Sequence, residues 1–144
     1  MNIEERVDWF VAQCKERGVK ITPQRVAIYR ELTATNEHPS AENIYNKIKS
    51  YYPNVSLTTI YRTLETFEHL GLISVVNTLS NAARYDANLA PHTHVVCVVC
   101  KRISDIYDLD LNAVDFATDT EYEVLGYDLL LKGICPECRQ KRTQ

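Results

Sequence analysis

Four of the five cysteines fall into two C-x-x-C pairs, Cys97 with Cys100 and Cys135 with Cys138, with 34 residues between the pairs. Thiolates at this paired spacing suit the tetrahedral sulfur coordination of structural zinc, and two such pairs by coincidence in a chain this short are improbable. Because the intervening segment is longer than in an ordinary zinc ribbon, the metal is expected to pin the start of this part of the chain to its end. Four protein ligands leave no position for a substrate, so the cluster is expected to be a staple and not an active centre.

The segment before these cysteines has helical periodicity. Val7, Phe10, Val11 and Cys14 recur at i, i+3, i+4 and i+7, and Gly18 stops that helix. Cys14 lies on the inward stripe, so it is expected in the core and is assigned no function. Thr22 before Pro23 starts a second helix that runs to about Leu32, and Ser40 caps a third with Ile44 and Ile48 inward. Ser56 caps a fourth with Leu57, Ile60, Leu64 and Phe67 inward, Gly71 ends it, and Leu72 can fold back on Phe67. Leu72–Val76 and Ala83–Asp86 then read as two short strands around a polar turn from Asn77 to Asn81, the hairpin that a winged helix-turn-helix carries.

After residues 87–92, the expected linker, the pattern becomes strand-like. His94–Val99, Arg102–Leu109 and Glu123–Gly133 read as strands and Asn112–Glu121 as a helix. The predicted fold class is therefore α+β: a winged helix-turn-helix domain over 1–86, then a small zinc-stabilised α/β domain over 93–144, which the family resemblance given below implies is a dimerisation domain. A half this small needs a metal and a partner subunit to complete its core.

Charge separates the halves. Residues 1–85 carry 10 Lys and Arg against 9 Asp and Glu, a net +1, whereas residues 86–144 carry 6 against 10, a net −4, which together give the chain's −3. That excludes a constitutive nucleic-acid coat protein but allows regulated DNA binding by the first half. Thr58, Thr59, Arg62 and Thr66 line the polar face of the fourth helix, with Tyr61 at its border, as a helix reading the major groove requires. A polar face alone marks any surface helix. The capped three-helix unit and wing around it favour DNA, with Lys15, Arg17, Lys20, Arg25 and Arg30 available for phosphates.

A second group of metal donors carries nitrogen and oxygen. His92 and His94 are two apart in an extended segment, so both imidazoles can face one side just ahead of Cys97. Asp105 falls on the next strand, Asp86 at the end of the wing, and His38 between two helices. Taken singly, these last three read equally well as a solvated carboxylate, a turn former and a loop residue. His69, on the polar side of the fourth helix, reads as a surface residue.

On Gly18–Arg25 (GVKITPQR), His38–Ala41 (HPSA), Ser56–Leu64 (SLTTIYRTL) and the histidine-cysteine segment from His92 to Cys100, the chain resembles the ferric uptake regulator family over almost its whole length. The resemblance implies a homodimer, a four-cysteine zinc, and a regulatory metal between the domains. Within the family the chain is similar to the peroxide-sensing branch, whose regulatory ligands correspond to His38, Asp86, His92, His94 and Asp105. Three imidazoles and two carboxylates suit Fe(II) or Mn(II), whereas thiolates select zinc. Iron-sensing members commonly have glutamate where Asp105 stands and a further histidine near Tyr127. By resemblance, bound Fe(II) reacts with hydrogen peroxide and His38 or His92 is oxidised, while Mn(II) is inert. Arg62 after Tyr61 matches the iron-sensing members instead, and this bears on the operator sequence.

The expectation is thus a metal-dependent, peroxide-sensing transcriptional repressor that binds inverted-repeat double-stranded DNA as a homodimer; the alternative is a repressor of the same fold sensing iron or manganese availability. An enzyme is not expected. A metallohydrolase would need a nucleophile or phosphate loop beside the His/Asp donors, and a zinc-built interaction module would leave the basic residues and the reading helix unused. No small-molecule substrate is expected. With no apolar run near the roughly 20 residues of a membrane span, and no basic-then-apolar start, the cytoplasm is the expected location.

Overall fold

The computed structural model describes residues 1–77, 83–110, 120–125 and 127–142. The chain divides into two compact units, residues 1–90 and 91–144. The first contains α1 (Ile3–Glu16), α2 (Pro23–Thr33), α3 (Ala41–Ile48) and α4 (Leu57–His69), followed by β1 (Ser74–Asn77) and β2 (Ala83–Asp86). Each predicted helix start is built as the local chemistry requires. The side chains of Thr22, Ser40 and Ser56 accept hydrogen bonds from the amides of Arg25, Asn43 and Thr59, at 3.2, 3.1 and 3.1 Å. Asn2 and Glu5 add a capping box at α1.

The stops are equally local. Gly71, at φ +71°, lets the Leu72 amide reach the Phe67 carbonyl at 2.9 Å while its own amide bonds Glu68, a Schellman turn that buries Leu72. Leu72 is therefore used by the helix end, and the strand begins two residues later than its apolar run suggests. Gly18, at φ +65°, ends α1 in the same way, with Val19 reaching back to Cys14.

The apolar faces of α1, α2 and α4 meet around three aromatic rings. Phe10 stacks on Tyr29 with centroids 4.2 Å apart and meets Phe67 edge-on at 4.9 Å. Aromatic pairs of this geometry contribute about 0.5–1.5 kcal/mol beyond their area burial. Ile28, Leu32, Ile44, Ile48, Ile60 and Leu64 close the core around them, and Cys14 is buried there as expected. The wing, β1 with β2, is antiparallel, with Ser74 opposite Asp86 and Val76 opposite Arg84.

The second unit contains β3 (Thr93–Cys97), β4 (Ile103–Ile106), β5 (Leu130–Gly133) and α5 (Pro136–Arg142). The sheet order is β4-β3-β5, with β4 antiparallel and β5 parallel to β3. The predicted strands are longer than the observed ones: only Ile103–Ile106 of Arg102–Leu109 and only Leu130–Gly133 of Glu123–Gly133 pair with β3. Residues 112–119 of the helix expected over Asn112–Glu121 lie outside the described residues, and its last two, Thr120 and Glu121, are not helical. Most of the expected wing turn, residues 78–81, also lies outside the described residues. α5 was not expected from the sequence. Its signals were present: Pro136 at the first helical position, Glu137 in the first turn, and Arg139, Lys141 and Arg142 in the last, all favourable to the helix dipole.

Candidate metal centres and nucleic-acid interface

The sulfur cluster is built by the β3–β4 turn and the start of α5. Cys97 closes β3, its amide accepted by the Arg102 carbonyl at 2.9 Å, and the tight return between them puts Lys101 at φ +67°. Cys135 is brought alongside by β5, because Gly133 sits opposite Cys97 in the parallel ladder, and the first turn of α5 carries Cys138 round. The four Sγ atoms lie within 4.8 Å of one another. Zinc–sulfur bonds of about 2.3 Å in a tetrahedron set sulfurs about 3.8 Å apart. Sγ of Cys100 and Sγ of Cys135 are separated by 3.8 Å.

Four sulfurs this close compete for protons. Backbone N–H groups, that of Cys135 first and then that of Cys100, draw the Cys97 thiol down to about 6. Hydrogen bonding with Cys135, followed by desolvation, pushes Cys138 up to about 12. A divalent cation at their centre favours the thiolate at every corner, so the donor set fits a zinc ion in charge as well as in spacing.

A separate group of donors stands at the other end of β3. In the antiparallel ladder His94 pairs directly with Asp105. Nε2 of His94 lies 3.4 Å from Oδ1 of Asp105, Nε2 of His92 lies 3.6 Å from the same oxygen, and the two Nε2 atoms are 3.0 Å apart. Metal–ligand bonds of about 2.1 Å place neighbouring octahedral donors about 3.0 Å apart. Two imidazoles and one carboxylate at these separations fit the triangular face of an octahedral coordination sphere. Tyr107 stacks on His92, centroids 5.4 Å apart, and its hydroxyl donates to Asp105 Oδ2 at 3.4 Å. Sequence analysis passed over Tyr107, although its place two residues after Asp105 sets both on one side of the extended chain.

In the first unit His38 and Asp86 form a buried pair, Nε2 to Oδ2 at 3.3 Å. His38 adopts φ +55°, the left-handed region, immediately before Pro39. A non-glycine residue there carries strain of about 1–3 kcal/mol, and a following proline restricts it further. The wing strand supplies the restraint. Arg84 donates from Nε to the His38 carbonyl and from Nη2 to the Glu37 carbonyl at 2.8 Å, and the Tyr85 amide bonds the Pro39 carbonyl at 3.0 Å. Arg84 was also missed. Its signal was alternation, since residues 84 and 86 share one face of β2.

On α4, Thr58, Tyr61 and Arg62 are exposed, while Thr59 is half-buried with Oγ1 2.9 Å from Ser56 Oγ. Thr66 turns its hydroxyl onto the Arg62 carbonyl at 2.9 Å. Tyr61 donates its hydroxyl to Glu42 of α3 at 2.7 Å, which lowers the Glu42 carboxyl and raises the Tyr61 phenol from their ordinary values. Lys15, Arg17 and Lys20 are exposed, and Arg25 is half-buried with its guanidinium on the Lys20 carbonyl. Arg30 is ion-paired to Glu4, so its charge is met within the fold. His69 is exposed and lies 3.7 Å from Glu65 one turn earlier, in keeping with a surface residue.

Residues 16–131 match the Ferric uptake regulator family. The peroxide-responsive repressor PerR of Staphylococcus aureus (strain USA300) is 32% identical over 142 residues, covering 97% of this chain and 96% of that protein. Among solved structures, the ferric uptake regulator Fur of Helicobacter pylori, described as having three functional metal binding sites, superposes with a TM-score of 0.76 at 26% identity, covering 96% of this chain and 95% of that one. PerR of Streptococcus pyogenes, solved for the structural basis of peroxide sensing and gene regulation, superposes at 0.55 with 31% identity, covering 92% of each chain. The winged-helix architecture, the paired metal-donor groups and these similarities together show that this chain belongs to the ferric uptake regulator family, whose members are DNA-binding transcriptional regulators and not enzymes.

Proposed function

We propose that this chain is a repressor that senses hydrogen peroxide through a metal held by its own histidines and releases oxidative-stress genes when those histidines are oxidised. The observation that carries the reading is the His92, His94 and Asp105 triad, nitrogen and oxygen donors 3.0–3.6 Å apart and distinct from the sulfur cluster. Such donors favour Fe(II) or Mn(II). His38 and Asp86 complete the ligand set in this proposal, so that the metal couples the winged-helix domain (1–86) through the linker (87–92) to the dimerisation domain (93–144).

Cys97, Cys100, Cys135 and Cys138 hold a structural Zn(II) that stays in place throughout. His38, Asp86, His92, His94 and Asp105 would hold Fe(II), which would supply the redox chemistry that activates hydrogen peroxide; in the net change the imidazole of His38 or His92 loses two electrons, one peroxide oxygen replacing a ring hydrogen and the other leaving as water. The coupling can act on DNA affinity because a ligand shifts an equilibrium by the difference in its affinity for the two states. Thr58, Thr59, Tyr61 and Arg62 read bases in the major groove, while Lys15, Arg17, Lys20 and Arg25 meet phosphates. A homodimer places two reading helices on an inverted repeat. No helix among the described residues is long and apolar enough to cross a membrane, and the protein is proposed to act in the cytoplasm.

The test is fluorescence anisotropy of the purified, zinc-loaded protein on an inverted-repeat duplex, with Fe(II) or Mn(II) added anaerobically, before and after a hydrogen peroxide pulse. The expected result is that only the iron form loses DNA and that mass spectrometry finds one added oxygen on His38 or His92. Retention of DNA by both forms with unmodified histidines would replace this reading with that of a metal-availability repressor.

A further inference from the structure

We infer that Arg84 is the positioning residue for His38, a side-chain clamp that sets the ligand loop from the wing. The inference rests on the proposed role of His38 as a metal ligand. His38 occupies a backbone region uncommon for any non-glycine residue, directly before a proline that restricts it further. Pro39 has no amide to contribute, so the restraint comes from elsewhere in the fold.

Three consecutive residues of β2 provide it to three consecutive residues of the loop. The guanidinium of Arg84 spans the Glu37 and His38 carbonyls, the Tyr85 amide holds Pro39, and the Asp86 carboxylate lies 3.3 Å from the His38 ring. Two donors of one planar group on successive carbonyls fix the relative orientation of the two peptide planes that flank the His38 Cα, a fork geometry that a single ammonium lacks. The Tyr85 contact is main-chain and does not depend on the side chain at position 84. The Arg84 contacts are side-chain contacts, so they can be removed separately. Because Arg84 belongs to the wing strand, a pull on the His38 ring is transmitted into the wing through this clamp.

The experiment uses the full-length zinc-loaded protein with Arg84→Gln, Arg84→Lys, His38→Ala and the Arg84→Gln/His38→Ala double variant. Mn(II) affinity is read by electron paramagnetic resonance, and hydrogen exchange of the 35–41 segment is read without Mn(II). Zinc content and far-UV circular dichroism report folding. Arg84→Gln is expected to weaken Mn(II) binding by about 10- to 100-fold, as loss of a residue that orients a ligand does, and to speed exchange in the segment. Arg84→Lys, which keeps the charge and loses the fork, should lie between it and the parent. In the His38→Ala background Arg84→Gln should cost nothing further, since it acts through that side chain.

Parent-like Mn(II) affinity in Arg84→Gln, or an equal loss with and without His38, overturns the clamp. Should Arg84→Gln fail to fold, Arg84→Lys decides, and parent-like affinity with parent-like exchange there overturns it. If His38→Ala alone leaves Mn(II) affinity unchanged, the fault lies in reading His38 as a ligand, and that result is visible without any Arg84 variant.

Discussion

The two units solve the same stability problem by different means. In the first, four capped helices bury Phe10, Tyr29, Phe67 and a shell of Ile and Leu side chains, so apolar burial holds it. In the second, the buried hydrophobic residues among those described are Val96, Cys97, Ile103 and Cys138, and two of these four are cluster sulfurs. Small sheets with so little apolar interior depend on added covalent or coordinate bonds. The contrast teaches where each unit is vulnerable: the first to cavities, the second to chelation and oxidation.

The largest effect should follow zinc removal. Structural zinc contributes an apparent free energy of about 10–16 kcal/mol to small domains. A thiol-competitive chelator is therefore expected to unfold residues 91–144 while α1–α4 keep their protection, as read by hydrogen exchange; simultaneous loss in both units would erase the contrast. Next, Phe67→Ala should destabilise the first unit by about 3–5 kcal/mol in urea unfolding while zinc content stays unchanged. Asp105→Asn removes the charged member of the triad and should weaken Mn(II) binding at least about 100-fold, or about 2.7 kcal/mol, again with zinc retained. Comparable loss of both metals would mean that the two donor groups are not separable. The smallest effect is expected of Ser56→Ala, about 1 kcal/mol from the lost cap of α4, seen in thermal melts and without effect on either metal.

What was legible in the sequence follows the range over which each feature is determined. Thr22, Ser40, Ser56, Gly18 and Gly71 act within a few residues of themselves, so the starts of α2, α3 and α4 and the ends of α1 and α4 could be read directly, whereas α3, expected to be ended by Tyr51, Tyr52 and Pro53, stops at Ile48. The cysteine spacing was legible for a related reason, since a turn of fixed length presents each pair. Strand ends were not, because Ile103–Ile106 and Leu130–Gly133 stop where pairing with β3 stops, and only the assembled sheet determines that. His38, Asp86 and Asp105 had ordinary explanations one by one, and it was the family resemblance that drew them together. The contacts from Arg84 to residues 37 and 38, and from Tyr107 to His92, join side chains through tertiary structure and left only the weak signal of alternation.

One strand has a consequence for chemistry as well as for folding. β3 begins beside His92, carries His94, and ends at Cys97. His94 and Cys97 are three residues apart, about 10 Å along a strand, and an odd separation turns their side chains to opposite sides of the pleat. Val96, between them, is buried. The strand is therefore a partition, with the His94 imidazole on one side of its backbone and the Cys97 sulfur on the other. On the proposed peroxide chemistry, a short-lived oxidant formed beside the histidines would meet an imidazole before it could diffuse around the edge of the sheet to the sulfurs.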